Sequence, residues 1–421
     1  MVPDRWVRPH TRRSSRAVRS QPGPAWPLES PGVSAEADHP IGASARLEGF
    51  DGLRAIAVLS VASYHFFQTA AVFPLGATTA FDIGGQFRVG VWVFFVLSGF
   101  LLYRPYARAH AGAANAPSPV RYTRSRFLRI WPAYAVTLVV LTYVWHRVAI
   151  DGTNGFVLHL VLVQNYVPSQ FLRGGIGPAW SLVVEVAFYV FLPVYAAIVG
   201  RYTKRRDSWT VELVSLAAVA VLGFAWQIAM VGHPLPATML PGFLPTFAIG
   251  MTFAVAVVHR RDLGLSSLAR RPAVCWLVAL ALLVGKGIVG GFDFFELGFE
   301  IQNQIVYSAV AALVVVPAVF GARDRLGNRV LRSRPFHGLG LISYGVFLWS
   351  VPVMQAVQQE WIPLEPGFAG RTGVVAVVSF AVTCAIATLS WFVVERPALA
   401  LKGRARARRV PPADGSMAAG G

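Results

Sequence analysis

Apolar runs of about twenty residues recur along the chain, separated by short connectors that carry most of the arginines. A run of that length crosses a hydrocarbon core of roughly 30 Å as a helix, because each helical residue advances about 1.5 Å. Ten such runs are predicted, at residues 53–73, 89–103, 130–145, 181–200, 211–231, 239–259, 272–291, 301–320, 337–358 and 372–394. The pattern predicts an all-α, polytopic integral membrane bundle of about ten transmembrane helices. Residues 156–163 are apolar but too short to span, and are expected to form a re-entrant or interfacial piece.

The polar stretches lie mainly at the two ends. Residues 1–45, rich in Arg, Pro, Ser and Gly with no apolar run, read as a disordered tail rather than a secretory signal peptide, and 401–421 as a second basic tail. The folded domain is expected between them, at 46–400.

Composition agrees with lipid burial. Of the 421 residues 55% are hydrophobic and 14% charged, against roughly a quarter charged in a soluble domain. A net charge of +18 raises nucleic acid as a partner, but its placement answers otherwise. Assigned to alternate sides of the ten spans, 33 of the 38 Lys and Arg residues fall on one side and 5 on the other. That asymmetry is the positive-inside rule, so both termini are expected in the cytoplasm and no nucleic-acid partner is needed. Cys275 and Cys384 fall inside predicted spans and read as small apolar groups.

Charge at membrane depth is expensive, so the few ionisable residues there are candidates for chemistry. His65 is expected near the middle of the first span. Glu185 is expected to be the one acid inside a span, and Lys286 to snorkel from an outer end. Arg54 and His65 are eleven positions apart, three helical turns plus about 20°, so they share a face roughly 16 Å apart along the axis. His65 reads either as a neutral imidazole bonded between helices or as a general base or acyl-accepting nucleophile. Ser181, Glu185 and Tyr189, spaced i, i+4, i+8, form a polar stripe that either locks helices together or binds substrate. Trp180 beside them is an interfacial anchor or part of that site. Arg126 and Arg129, just before the third span, are either ordinary basic flanks or a bidentate grip on phosphate. No His, Asp or Glu spacing resembles a metal-ligand set.

Asp51-Gly-Leu-Arg54 through Tyr64-His65, Phe94-Phe-Val-Leu-Ser-Gly-Phe100, Arg126-Phe-Leu-Arg129, Trp180-Ser-Leu with Glu185 and Tyr189, Ser343-Tyr344 with Leu348-Trp349, and Val394-Glu-Arg-Pro397 occur in one order over nearly the whole folded region. In this the chain resembles the membrane-integral acyltransferase family 3, which O-acylates bacterial surface sugars and some secreted metabolites, and looks like its stand-alone type without an SGNH domain. It departs from the family pattern at Trp92, Ser350, Val186 and Ala187.

The resemblance implies a cytoplasmic acyl-coenzyme A as co-substrate, no bound cofactor, and an acceptor hydroxyl on a sugar-containing molecule. It assigns His65 and Arg54 to transfer and Arg126 and Arg129 to the donor, to which our reading of the residues adds Glu185 for transfer and Asp51 for the donor. Trp180, Ser181 and Tyr189 would meet the acceptor. A transporter with a His65/Glu185 proton relay is the rival reading.

The charge asymmetry makes a direct prediction. Reporter fusions after Arg206 and Arg334 should report cytoplasm, and fusions near Gly232 and Glu365 the outer side. A consistent inversion in a reporter assay would overturn the assigned orientation.

Overall fold

The computed structural model describes residues 40–69, 78–170, 174–204, 206–289, 299–321, 326–362 and 369–407, and the structural statements below concern these. The tail residues 1–39 and 408–421 lie outside them, whereas helix already runs from Pro40 and continues to Ala407.

The described residues hold helices and no β-strand. The α-helices begin with α1 (Pro40–Thr69), α2 (Thr78–Gly85), α3 (Gly90–His110), α4 (Pro119–Val139) and α5 (Gly152–Leu160). Next come α6 (Trp180–Thr203), α7 (Ser208–Ala229), α8 (Pro234–Ala237), α9 (Leu240–His259), α10 (Leu265–Ala269) and α11 (Pro272–Val289). The series ends with α12 (Phe299–Phe320), α13 (Leu326–Leu331), α14 (Arg334–Ala356), α15 (Ala369–Ser390) and α16 (Arg396–Ala407).

Nine helical stretches among the described residues are long and apolar enough to cross a membrane. They correspond to the second to tenth predicted runs. The first run corresponds to α1, whose Arg54, Tyr64 and His65 dilute its apolar character; residues 70–73 of that run lie outside the described residues. Several stretches are longer than the sequence predicts: a 3-10 turn joins α2 to the second, α-helix from Pro119 lengthens the start of the third, and a π turn joins α16 to the last. The second covers Asp82–His110, the third Pro119–Val144 and the last Gly373–Lys402. Arg126 and Arg129 therefore lie within the helical stretch of α4 rather than flanking it. The short apolar segment after the third span is α5, held on α4 where Tyr134 donates to the His159 carbonyl at 2.9 Å and Trp131 to that of Leu160 at 3.2 Å.

Helix α3 is the hub. It packs most extensively on α9, and also meets α12 and α6. The approach to α9 is close because glycines face each other's backbone: a Cβ at Gly99 would collide with the Phe247 carbonyl, and one at Gly250 with the Val96 carbonyl. Small residues at a membrane helix crossing allow this, and van der Waals packing supplies the association that hydrophobicity cannot supply in lipid. The face between them is filled by Phe95 stacked on Phe247 and Phe247 on Phe188, at 4.7 and 3.9 Å between ring centroids.

Buried charge is more abundant than the sequence reading expects. Glu212 in α7 is fully buried and bonds His110 Nδ1 at 2.8 Å, while His110 Nε2 meets the Ala196 carbonyl at 3.0 Å. Glu395, aimed inward by the π turn after α15, is also buried. Lys286 does not snorkel: it is 1% exposed, with its ammonium 5.6 Å from the centre of the Tyr307 ring. Outside the spans Asp207 caps α7, accepting from the Thr210 backbone N–H at 3.0 Å and its hydroxyl at 2.9 Å, and these bonds hold its carboxyl below the usual value.

The glycine crossing is testable. Gly250→Val should lower the stability of the detergent-solubilised protein by about 1–3 kcal/mol, the usual cost of overpacking. Gly373→Ala in α15, whose added Cβ meets nothing within 4 Å, should leave the thermal unfolding midpoint unchanged.

Candidate active site

A cleft partly open to solvent lies among α1, α3, α4, α6 and α14, with about 800 Å³ of empty space when the solvent at its mouth is included. Arg54 reaches it from α1 and Arg126 and Arg129 from α4; Ser181, Glu185 and Tyr189 reach it from α6, and Ser98 from α3. Phe95, Leu97, Leu182 and Phe347 supply apolar wall. The helical stripe expected at Ser181, Glu185 and Tyr189 is thus one wall of a real space, and it faces all three candidate arginines.

The polar groups are tied in defined ways. Asp51 Oδ1 accepts from Arg54 Nη1 at 2.7 Å, so Asp51 holds the arginine and is itself not among the lining residues. Arg129 makes no hydrogen bond or ion pair with a described residue, and its guanidinium has donors to offer an occupant; buried Glu395 is within its electrostatic reach. The Arg126 guanidinium lies 6.0 Å from the centre of the Tyr189 ring. Tyr344 donates to the Ile130 carbonyl at 2.9 Å, pinning α14 to α4 one residue beyond Arg129.

Glu185 accepts from Ser98 Oγ at 2.9 Å and from the Tyr189 hydroxyl at 2.6 Å. Ser98 is absent from the residues the sequence reading singles out for chemistry. Its signal was a lone hydroxyl in the apolar run Phe94–Phe100, but only the packing of α3 on α6 shows what it meets.

Two expected site residues stand elsewhere. Trp180 does not line the cavity: its ring lies 5.7 Å from that of Phe243 and its carbonyl accepts from Asn165 at 2.9 Å, so it helps seat the start of α6. His65 is not among the lining residues either. Ser60 donates to the Phe87 carbonyl at 2.5 Å, and a Cβ on Gly90 would meet Ala57 and Val61, which sets the register of α1 against α3. From Val61, which packs at the level of Gly90 beside Val91, the cavity's limit on α3, four more residues carry His65 about 6 Å further along α1, towards the end of the bundle away from the cavity.

That end carries its own polar layer. Tyr307 donates to Gln86 at 2.7 Å and accepts from Arg88 at 3.2 Å, and Trp92 donates to Gln304 at 3.0 Å. Gln304 in turn donates to Thr246 at 2.8 Å. Tyr64, next to His65, is within electrostatic reach of Tyr307. Among the described residues no group of three or more His, Cys, Asp or Glu side chains is placed to hold a metal ion.

Comparison with known proteins gives this geometry a context. The profile of a family described as an acyltransferase domain matches residues 47–392. The chain is 27% identical over 380 residues to the acyltransferase MdmB of Streptomyces mycarofaciens, covering 86% of this chain and 94% of that one. It is 27% identical over 392 residues to nodulation protein 10 of Rhizobium leguminosarum, covering 87% and 97%. It is 22% identical over 378 residues to the peptidoglycan O-acetyltransferase OatA of Listeria monocytogenes, covering 82% of this chain and 55% of that one. The chain thus spans about half the length of the relatives whose names carry peptidoglycan O-acetylation. No solved structure matches it.

The Asp51–Arg54 pair can be tested by charge removal with shape kept. Asp51→Asn should lower acyl transfer by about tenfold at equal protein abundance, in line with losing one charge-assisted bond. Unchanged transfer in isolated membranes would show that Arg54 needs no holding.

Proposed function

Because the chain belongs to the membrane-integral acyltransferase family 3, we propose that it moves an acyl group from acyl-coenzyme A to a hydroxyl of a sugar-containing acceptor. The rival transporter reading falls with that membership. The observation that carries the donor assignment is the cavity itself, in which three arginines from two helices face a space whose remaining wall is largely apolar. Guanidinium groups suit phosphate oxygens, and an apolar channel beyond them suits a thioester arm. The orientation that fits places both termini and the arginine-lined end in the cytoplasm, within the cell membrane.

In this reading Arg126 and Arg129 hold the donor's phosphates, and Arg54, braced by Asp51, adds a third charge. The acyl end points along the α1 face towards His65. His65 takes the proton of the acceptor hydroxyl, whose oxygen forms a bond to the acyl carbon as the carbon–sulfur bond breaks, and coenzyme A leaves as its thiol after protonation. Such general-base help contributes about 10² to 10⁴ in rate. The gap between His65 and the cavity requires the Val61 and Val91 layer to part when the donor binds, whether His65 acts as the base or attacks the thioester, releasing the coenzyme A thiol, and carries the acyl group as an acyl-imidazole. The acceptor is read as a cell-envelope glycan, a glycolipid or a glycosylated metabolite. The peptidoglycan named for two relatives supports the first of these.

Labelled acyl-coenzyme A offered to the purified protein with a panel of glycans tests the reaction. His65→Gln keeps hydrogen-bonding capacity but takes no proton at neutral pH, and should abolish transfer while the protein remains inserted and abundant. Near-normal turnover would reassign His65 to helix packing. Neutralising Arg126 and Arg129 together should raise the half-saturation for acyl-coenzyme A at least tenfold and leave that for the acceptor unchanged.

A further inference from the structure

Glu185 is bound in a way that a simple counter-ion is not. Three arginines line the same cavity, yet both hydrogen bonds to the carboxylate come from hydroxyls, those of Ser98 and Tyr189. Arg126 faces the ring of Tyr189 instead. Both hydroxyls also bond the same oxygen, Oε1. The second oxygen, Oε2, makes no hydrogen bond with a described residue and is not among the buried unpartnered atoms, so it is open to the cavity.

A carboxylate oxygen accepts and cannot donate, so whatever meets Oε2 presents an N–H or O–H group. The phosphates that arginines attract are acceptors and cannot fill that place. Beyond those two hydroxyls the cavity that Glu185 lines has apolar wall, including Phe95, Leu182 and Phe347. The occupant fitting both facts is a mostly apolar, uncharged chain that carries a few donors. The pantetheine arm of coenzyme A has this chemistry, with amide N–H groups and a hydroxyl between the phosphates and the sulfur.

We propose that Glu185 Oε2 accepts a hydrogen bond from the pantetheine arm, and that Ser98 and Tyr189 are positioning residues that turn the carboxylate towards it. This moves Glu185 from the transfer step, and Tyr189 from the acceptor, to the donor half of the reaction. The acceptor competes poorly for the place, because Glu185 shares its cavity with the arginines while His65 lies beyond the cavity's other limit. The proposal rests on the cavity being the acyl-coenzyme A site, and its test separates the two claims.

The experiment is equilibrium binding to the purified full-length protein of two ligands, coenzyme A and adenosine 3′,5′-bisphosphate, which keeps nucleotide phosphates but lacks the arm. Glu185→Gln removes the charge, leaving the arm to face either an N–H group or a weaker neutral carbonyl acceptor, and should weaken coenzyme A about fivefold or more while leaving the bisphosphate unchanged. Ser98→Ala should shift coenzyme A in the same direction, and Ser98→Thr, which restores a hydroxyl, should recover it. Neutralising Arg126 and Arg129 should weaken both ligands. If the wild type binds neither ligand, the acyl-coenzyme A reading fails. If it binds both and Glu185→Gln leaves coenzyme A unchanged, or weakens the two ligands equally in protein of normal thermal stability, the pantetheine contact is overturned. Should Glu185→Gln not fold, the Ser98 pair decides on the same two ligands.

Discussion

The close approach of α3 to its neighbours, at Gly90 against α1 and at Gly99 against α9, sets the rotation of the central helix. Once Gly99 must face the backbone of Phe247, the next position back, Ser98, is turned about 100° away and reaches Glu185 on α6. The same crossing places Phe95 in the aromatic stack with Phe247, so packing and site share one cause. A side chain at Gly99 or Gly250 would force the helices apart and shift the cavity wall with them.

Hydrocarbon imposes the second constraint. A polar group buried in the bundle is stabilised by a partner inside the protein, which favours clusters of polar side chains over scattered ones. His110 with Glu212 ties α3 to α7, and the carbonyl of Ala196 adds α6 to the joint. The cavity gathers Arg54, Arg126, Arg129, Glu185, Ser98 and Tyr189 towards one side of the Val61 and Val91 level. Gln86, Arg88, Gln304 and Tyr307 gather on the other, near the end of α1 that bears His65.

In the proposed reaction, with acyl-coenzyme A entering on one side and a sugar acceptor on the other, that division has a chemical use. Phosphates need fixed cations, a thioester arm needs an apolar passage, and an acceptor sugar needs hydroxyl and amide partners. The two clusters offer these in order along the bundle, with α1 running past both through Arg54 and His65. In that proposal the apolar packing around Val61 and Val91, which lies between them, is where the donor has to pass.

What the amino-acid order determined by itself was what depends on local spacing: the helical spans, the common face of Arg54 and His65, and the stripe Ser181, Glu185 and Tyr189. Each follows from helix geometry and from the cost of charge in lipid, which need no knowledge of neighbours. Tertiary packing alone decided which of these faces meet. It brought Ser98 to Glu185, turned Asp51 into the support of Arg54, carried Arg126 and Arg129 into a cavity wall, and kept Trp180 and His65 out of it. It also buried Glu212, Glu395 and Lys286, whose positions near predicted span ends read as exposed until partner helices and π turns enclose them. The reason is that a side chain's direction around its helix is local, whereas its neighbour is set by helix register and crossing, fixed here by glycine contacts many residues apart.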